Sequence, residues 1–417
     1  MAGQNMLSDL LSDPRVKSCF LALVNSPLSA EEKYEQFAAF LTSREASGRR
    51  GPADENRPAR YGKPPENSCK RSLPCDLEDV LIQTAESVRR ALQRMKRSQH
   101  QDGGWGAQIE QSSLWHTAYS VLFLNSARMV EGFKFNPEVD SMIRRGVAYL
   151  ERHPEDWYVE MLPSTGAISV YDLSVMIRCF YRVGRTFMRR ESALRVYRSL
   201  DRLRRAQNKD GGWDAKIWGR GVTTPTGVWS EVGATSAALQ ALAETHDESV
   251  REAMERGIRW LINTQNPDGS WNNGSCDPLY PGLQLTGVPV ITKTCDALVG
   301  IQAGSALDIP LQPYQEHIDR AVAWLIHQEK VTLERQKRTA GCGWGFTSAD
   351  YENICMVLET FVRMSDIPAA LLAQNAAWLI QGQRRQAYDP EDGRWMIGDT
   401  ARIGLALADF YRREKGL

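Results

Sequence analysis

The 417-residue sequence lacks several features that would narrow its class at once. It has no net charge, because 51 basic residues balance 51 acidic ones, so nothing favours a nucleic acid as partner or strong attachment to an anionic membrane. No apolar run approaches the length of about 18 residues that predicts a transmembrane helix. The eight cysteines include no Cys-x-x-Cys pair, which favours reduced thiols. With no secretory signal at the N-terminus, we expect a cytoplasmic protein.

The first 75 residues differ in composition from the rest. Residues 1–45 show helical spacing, with Leu7, Leu10 and Leu11 on one face. Residues 46–75 are rich in proline, glycine, arginine and glutamate, which predicts a flexible linker or strap. From residue 76 the pattern becomes regular, so we predict that residues 76–417 form the folded domain.

That regularity is an internal repeat. The pattern Gln-x-x-Asp-Gly-x-Trp occurs at Gln99–Trp105, Gln207–Trp213 and Gln265–Trp271. Weaker or degenerate copies end at three further tryptophans, Trp157, Trp344 and Trp395. These six copies predict that one supersecondary unit is repeated six times along the chain.

Each unit has the same order of elements: an amphipathic helix, the Gln-x-x-Asp-Gly-x-Trp turn, and a more apolar helix. Glycine ends the first helix because it adopts the left-handed conformation, and the aspartate can bind the freed N–H groups. We expect the glutamine and tryptophan to hold the turn on the neighbouring repeat. Amphipathic helices belong outside and apolar helices inside. The prediction is an all-α fold, a single (α/α)6 toroid of six helical hairpins, with a central cavity at the N-terminal ends of the inner helices.

The turn is the QW repeat, and over about residues 80–415 the chain resembles the class II terpene cyclases related to squalene–hopene cyclase. With room for one toroid, its layout resembles the single-domain cyclases of meroterpenoids. The resemblance implies an isomerase of the intramolecular lyase type that needs no metal and no cofactor. Such an enzyme protonates the terminal alkene or epoxide of a polyprenyl chain and forms fused rings through a carbocation cascade.

The family's proton donor is the middle aspartate of a DxDD motif at the start of an inner helix. Only the fifth inner helix retains an acidic pattern here, Asp350-Tyr351-Glu352-Asn353. The resemblance implies that Asp350 or Glu352 is the acid, or that initiation differs. His116, which we expect on a neighbouring inner helix, is the candidate for orienting the reactive proton. Alternatively, Asp350 and Glu352 only cap their helix.

A second set of residues lies at the starts of the inner helices or in the loops before them. Aromatic rings there would stabilise a migrating cation, although core packing is an equal explanation for many of them. Two carboxylates in comparable positions would act as polar anchors or helix caps. The expected substrate-contacting residues are Trp115, Tyr171, Asp172, Trp218, Trp229, Glu231, Tyr280, Phe346 and Tyr351. Lys293 or Arg220 would receive an acidic head group.

No metal site is expected. The zinc ligands of the related prenyltransferases are not reproduced, since no histidine follows Cys295 and Asp296 on the next inner helix, and no DDxxD motif is present. The expected partner is a small prenylated molecule, with no nucleic acid and at most weak peripheral membrane contact. The chain length of the substrate and the oligomeric state are not specified by the sequence.

Other classes of function stay open. One is an (α/α)6 enzyme acting on polysaccharides, which would show several carboxylates in an open polar cleft. Another is a non-catalytic toroid, or a metal-free protein like the prenyltransferases, that binds a lipid or prenyl ligand. An aromatic cavity with a dry carboxyl group would favour the cyclase.

Overall fold

The structure, a computed structural model, describes most of the chain beyond residue 75. The described ranges are 76–108, 111–130, 136–152, 168–184, 186–217, 229–276, 287–339, 348–386 and 397–417. The predicted N-terminal helical segment and the predicted linker lie outside these residues. So do three of the six repeat tryptophans, Trp157, Trp344 and Trp395.

Twelve α-helices in the described ranges alternate along the chain between an outer and an inner ring. The outer helices are α1 (Leu77–Ser98), α3 (Pro137–Arg152), α5 (Arg190–Arg205), α7 (Arg251–Asn263), α9 (Gln315–Thr339) and α11 (Ala369–Gln386). The inner helices are α2 (Leu114–Ala127), α4 (Val170–Val183), α6 (Val232–Ala243), α8 (Ile291–Gln302), α10 (Ser348–Val362) and α12 (Ile397–Glu414). Short 3₁₀ helices cover Glu248–Val250, Ala303–Leu307 and Gln312–Tyr314.

The inner helices close into a ring. Each contacts the next in chain order, and α12 returns to pack on α2, while the outer helix α11 contacts α1. The predicted (α/α)6 toroid of six hairpins is therefore confirmed. All six inner helices begin within two residues of the positions where the apolar pattern placed them.

The packing of the two helix types follows their sequences. The inner helix α6 is buried over nearly its whole length. The outer helix α7 buries one face, which includes Met254, Ile258 and Leu261. The inner ring is less apolar than predicted, however, because α4 carries the buried Arg178 and α12 carries Arg402.

The three well-preserved turns have the same geometry. In the second, Gly211 has a φ of 100°, and its backbone oxygen accepts from the Gln207 amide at 2.8 Å. The same amide donates to the Ala253 carbonyl of the next outer helix, also at 2.8 Å. Glutamine therefore ties each turn to its neighbouring repeat, as predicted.

The tryptophan of the turn has two partners. The Trp213 indole N–H donates to Leu203 of its own outer helix at 2.8 Å, and its backbone N–H donates to Thr235 of the inner helix at 2.9 Å. Its ring reaches the next repeat at Gly257, where an added methyl group would lie 2.8 Å from the ring. Glycine on the outer helix thus makes room for the tryptophan of the preceding repeat, and Gly146 does the same for Trp105.

Short antiparallel strand pairs, which the all-α prediction did not include, join neighbouring repeats around the inner-helix starts. Strand β1 (Trp105–Gln108) pairs with β2 (Gln111–Ser113) within one repeat. Strand β3 (Ile168–Ser169) pairs with β4 (Lys216–Ile217), and β5 (Ser230–Glu231) pairs with β6 (Ser275–Cys276). The last two pairs fix the N-terminal ends of α4 and α6 against the turns that follow them. We call this end of the ring the mouth and the opposite end the base.

Candidate functional site

Serines, and not the predicted carboxylates, cap the inner helices α2 and α4. Ser113 accepts from the His116 N–H at 3.3 Å, and Ser169 accepts from the Asp172 N–H at 3.2 Å. Glu231 occupies the N-cap position of α6, but its side chain makes no capping hydrogen bond. The carboxyl groups of Asp172 and Glu231 are therefore not the N-caps of their helices.

His116 lies at the mouth with one ring nitrogen occupied. Its Nδ1 lies 2.6 Å from the Ser113 hydroxyl, whereas Nε2 is buried with no hydrogen-bond partner among the described residues. Burial lowers the pKa of His116, which favours a neutral imidazole. The Trp115 ring meets His116 edge-on with centroids 5.0 Å apart, and it lies 4.5 Å from the Tyr119 ring.

The expectation that His116 lies on a helix next to that of Asp350 is wrong. In the closed ring, α2 contacts α4 and α12, and α12 stands between α2 and α10. The inner helix beside that of His116 is the one that carries Asp172. Both residues are third in their helices.

The acidic pair predicted on α10 is only partly described. The backbones of Asp350 and Tyr351 are helical, and their side chains lie outside the described residues. The Glu352 side chain is 51% exposed, and its Oε1 accepts from the Arg402 guanidinium at 3.1 Å. A half-exposed carboxyl group held in an ion pair is not in the dry, unpaired position that the proton donor requires, so this contact does not suit Glu352 as the acid.

Three adjacent inner helices bring a polar cluster together on the inner wall. Lys293 Nζ lies 3.3 Å from Asp296 Oδ2, and the Tyr171 hydroxyl lies 3.5 Å from Glu231 Oε2. Lys293 Nζ also lies 5.7 Å from the centre of the Tyr171 ring. We call Tyr171, Glu231, Lys293 and Asp296 the wall cluster. Lys293 is thus paired, whereas the sequence suggested a free cation for an acidic head group.

Glycine provides the space in which the wall cluster meets. A methyl group on Gly233, the second residue of α6, would collide with the Tyr171 hydroxyl, lie 2.5 Å from Lys293 Nζ and lie 3.1 Å from Asp296 Oδ2. No other side chain fits there without displacing these polar ends. The sequence carries a signal for this contact, because a glycine interrupts an alanine-rich helix.

Burial raises the pKa of three carboxyl groups at the mouth and on the wall. Asp172 is 7% exposed, and its hydrogen bond with Ser169 opposes the rise only in part. In Glu231 and Asp296 the effect of burial on the pKa exceeds that of the nearby Lys293 ammonium. Burial alone would lower the pKa of Lys293, but Asp296 and Tyr171 outweigh it and the pKa is raised.

A second layer lies deeper in the ring. Tyr119, Asp296 and Arg402 are each the sixth residue of their inner helices, α2, α8 and α12. Burial raises the pKa of Tyr119, on which charges of Arg402, Arg178, Glu359 and Asp296 also act. The Asp296 side chain is 23% exposed although protein surrounds it, so it faces the space that the inner helices enclose. Sequence reasoning missed Tyr119, and the motifs carry no signal for it.

The other predicted contact residues are less informative. Trp229 precedes β5 and is half-buried. Trp218, Arg220, Tyr280 and Phe346 lie outside the described residues. Where side chains are described, no three His, Cys, Asp or Glu residues converge as metal ligands would. Among the described residues, no helix is long and apolar enough to cross a membrane.

The base of the ring has two cavities of about 250 and 520 Å³. Arg182 and Arg363 line both of them, and Glu244 and Asp409 each line one. These charges pair with each other: Arg182 lies 2.6 Å from Glu244, and Arg363 lies 2.9 Å from Glu359. The carboxyl groups whose pKa burial raises lie instead at the mouth and on the wall.

Comparison with known proteins assigns the family. The model of the squalene–hopene cyclase C-terminal domain matches residues 125–284 and 163–364, so the matched region runs from 125 to 364 and exceeds half of the chain. The chain belongs to this family of class II terpene cyclases. Two overlapping matches are what a chain of repeats produces.

Individual relatives are distant. The squalene–hopene cyclase of Bradyrhizobium diazoefficiens is 24% identical over 269 residues, which cover 59% of this chain and 38% of the relative. The terpene cyclase–glycosyl transferase fusion protein fsoA of Humicola fuscoatra is 25% identical over 356 residues, covering 75% and 24%. The chain thus spans less than two fifths of these curated relatives.

Solved structures support the fold. The match to cellobiose 2-epimerase from Spirochaeta thermophila has a TM-score of 0.60 at 14% identity. It covers 82% of this chain and 99% of the epimerase chain. A variant of the type II terpene cyclase MstE from Scytonema, in complex with geranylgeranyl dihydroxybenzoate, has a TM-score of 0.51 at 15% identity and covers 81% and 99%. At such identities the likeness shows the shared toroid and not the reaction.

Proposed function

We propose that the chain is a class II-type cyclase that protonates the terminal alkene or epoxide of a polyprenyl chain and closes fused rings through a carbocation cascade. Family membership supports the reaction class. The observation that carries the proposal is the buried carboxyl group of Asp172 at the mouth, whose pKa is raised by burial with no cation among the described residues acting on it.

Alkene protonation requires a carboxyl group that stays protonated near neutral pH until it is used. Burial without a cation nearby does this, because removing water penalises the charged form. Asp172 fits this requirement better than Glu352, which is paired with Arg402. Asp350 stays the donor that the family resemblance suggests.

His116 fits a supporting role in this scheme. Its Nε2 has no described partner, and its helix packs on that of Asp172. A neutral imidazole at this place can hold the reactive proton in one orientation by hydrogen bonding. We assign it this role toward Asp172, whose helix is adjacent, and not toward Asp350, because α12 stands between the helices of His116 and Asp350.

Aromatic side chains supply the wall on which a cation would be stabilised. The Trp115 and Tyr119 rings of α2 lie 4.5 Å apart at an angle of 49°, and Tyr171 is on the next inner helix, α4. Their ring faces attract positive charge through the quadrupole of the π system. We propose a prenylated substrate with a polar or aromatic head, by analogy with the geranylgeranyl dihydroxybenzoate that MstE holds.

The test is product analysis by mass spectrometry and NMR after incubating the full chain with geranylgeranyl dihydroxybenzoate or geranylgeranyl diphosphate. We expect a cyclised isomer of one probe. Replacing the donor, by Asp350→Asn or Asp172→Asn, should lower the rate by about 10² to 10⁴, whereas Glu352→Gln should retain most of it. Asp319→Asn, an exposed change on an outer helix, is the control.

Two outcomes would count against parts of the proposal. Full activity in both aspartate variants would reject the acid assignment. A chain that cyclises neither probe would reject the cyclase function itself.

The polar wall supports one second candidate, an (α/α)6 enzyme that acts on sugars. Arg178, Glu359 and Arg402 lie in the ring's interior, and charged groups of this kind suit a hydroxyl-rich ligand. Incubation with cellobiose and NMR of the sugar separates the two candidates. We expect no change in the sugar.

A further inference from the structure

The wall cluster descends from the mouth into the ring in order. Glu231 is the N-cap of α6, Tyr171 the second residue of α4, Lys293 the third of α8, and Asp296 the sixth of α8. At a rise of about 1.5 Å per residue, six residues correspond to roughly 9 Å of depth. One end of the cluster is therefore at the rim and the other faces the enclosed space.

The four side chains of the wall cluster follow one another from the mouth inward. The Tyr171 hydroxyl donates to the Glu231 carboxylate. The Lys293 ammonium donates to Asp296 Oδ2, and its Nζ meets the Tyr171 hydroxyl at the place where a Gly233 side chain would stand. Once Tyr171 has given its proton to Glu231, its oxygen can accept one from Lys293, and the neutral amine can then accept one from Asp296. This is the arrangement a proton needs to move from Asp296 outward to Glu231.

Gly233 lets the polar ends of the wall cluster pack directly against the backbone of α6. Three of the four polar ends converge on the place where a Cβ would stand. A side chain at this position would separate Lys293 from Tyr171 and Asp296. The glycine therefore serves the wall cluster, since α6 has alanines at comparable buried positions.

We propose that the wall cluster is a proton relay: Asp296 accepts the proton released when the substrate cation collapses to an alkene, and Tyr171 and Lys293 pass it to Glu231 at the mouth. The inference rests on the proposed cyclase function. It adds a base and an exit path to the acid that starts the reaction.

The relay balances step by step. A C–H bond next to the cationic carbon breaks, its electron pair forms the alkene, and the proton adds to the Asp296 carboxylate. Tyr171 then gives its proton to Glu231, Lys293 gives one to Tyr171, and Asp296 gives one to Lys293. Lys293, Tyr171 and Asp296 end as they began. Glu231, which is partly exposed, releases the proton to water.

The surroundings suit Asp296 as an acceptor. Lys293 from its own helix pairs with it, Arg402 on α12 contributes a further positive charge, and Glu359 on α10 contributes a negative one. Tyr119 on α2 and Tyr171 on α4 complete the set of titratable neighbours. The cations favour the carboxylate that has to accept the proton, and burial raises its pKa, which strengthens it as a base.

The first arm of the test needs no substrate. Infrared difference spectra of the full chain would be recorded between acid and neutral pH. The Asp296 carboxyl band is identified as the band that is absent in Asp296→Asn. Gly233→Ala should move its midpoint upward by about one pH unit or more, because the lysine is displaced and a neighbouring opposite charge has roughly that effect. An unchanged midpoint would overturn the relay.

The control for this arm is Gly300→Ala. Gly300 lies on α8 against α6, where a methyl group would approach Ser236 Cα at 2.9 Å. It crowds the same pair of helices without touching the polar ends. A midpoint shift of equal size in Gly300→Ala would attribute the effect to packing and would also overturn the relay.

The second arm uses geranylgeranyl dihydroxybenzoate. Asp296→Asn should still consume the probe but give at least about tenfold less alkene, with alcohols formed by water capture. Tyr171→Phe keeps the ring and removes the hydroxyl, so kcat should fall at least about tenfold at unchanged KM and product identity. The wild-type product mixture at the wild-type rate in Asp296→Asn would overturn the role of this base.

The two arms separate the two proposals. If the wild-type chain cyclises no prenyl probe, the proposed function fails, and the infrared arm still decides whether the four side chains exchange a proton. If the chain cyclises the probe and the infrared midpoint of Asp296 is unchanged in Gly233→Ala, the relay alone fails.

Discussion

At the mouth and at the base of the ring, the pKa values of buried carboxyl groups are shifted in opposite directions. At the base, Arg413 donates to the carbonyls of Phe361 and Met364, both at 2.6 Å, which end α10. Arginines also surround Glu359. Burial alone would raise the pKa of that carboxyl, but Arg363 and Arg178 outweigh it and the pKa is lowered. At the mouth, burial raises the pKa of Asp172, and no arginine opposes it.

Helix polarity gives the physical reason for this difference. All six inner helices run the same way, so their carbonyl ends collect at the base and attract cations. Arginines satisfy these carbonyls and pair with acidic side chains, which makes the base a structural element. At the mouth, serine hydroxyls cap α2 and α4, and burial raises the pKa of the Asp172 and Glu231 carboxyl groups. The lesson is that chemistry is expected where charge is not neutralised by partners.

The largest expected effect comes from removing a turn that holds the mouth. Trp213 is fully buried and bonded to both helices of its hairpin. Trp213→Ala should cost about 3–5 kcal/mol of unfolding free energy, because a large cavity opens and two helices lose a link. Denaturant unfolding followed by circular dichroism measures this. A loss under 1 kcal/mol would show that the turn is not a structural anchor.

The next effect tests the base. Glu359→Gln should cost about 3 kcal/mol at pH 7, because it leaves buried guanidinium groups unpaired. The folded pKa of Glu359 is lowered, so its contribution is present above the unfolded value of about 4.3 and is lost as the pH falls through the folded pKa. The deficit should therefore vanish in acid.

The control for this variant is Glu316→Gln. That carboxylate is 85% exposed beside Arg320, and its loss should cost less than about 1 kcal/mol. Equal losses for Glu359 and Glu316 would contradict the contrast between a buried and a solvated pair.

Arg413→Met should have an intermediate effect. It keeps much of the apolar stem but removes the hydrogen bonds to the carbonyls that end α10, at a cost of about 2 kcal/mol. Hydrogen exchange of the last turn of α10 should rise, while that of α6 at the mouth should not. Uniform exchange along both helices would show that the base and the mouth do not unfold separately.

The smallest effect has the opposite sign. Asp172→Asn should stabilise the protein at pH 7 by on the order of 1 kcal/mol, because burial disfavours the carboxylate that the unfolded chain carries at this pH and an amide avoids that penalty. The folded pKa is raised, so the wild type loses stability as the pH rises from the unfolded value of about 3.9 toward the folded pKa. Thermal unfolding across this range should show the gain disappear in acid. Destabilisation at pH 7 would mean that the folded protein stabilises the charged form of Asp172.

Much of the architecture was predictable because the repeat is local. A glycine with positive φ, an aspartate that binds the next amides and a tryptophan that bonds its own helix all act within a few residues, as Asp210, Gly211 and Trp213 show. Six such turns predict six hairpins. A chain of hairpins with one apolar side closes into a ring when the last can pack on the first.

The site was less predictable because its contacts join different repeats. Glu352 looked like a free acid, yet it pairs with Arg402, 50 residues away. Asp172 looked like a helix cap, yet Ser169 takes that role. His116 was expected beside the helix of Asp350, but ring closure places α12 between them. No spacing within one repeat contains this information.

The sequence by itself thus determined the hairpin, its turn and the number of units, because these follow from backbone conformations and periodicity over short distances. Only the tertiary structure decided which polar side chains meet inside the ring. Tyr171 on α4 and Lys293 and Asp296 on α8 come from two different hairpins and converge on Gly233 of a third. Their pairing depends on the rotation and depth of neighbouring helices, which are set by packing around the closed circle.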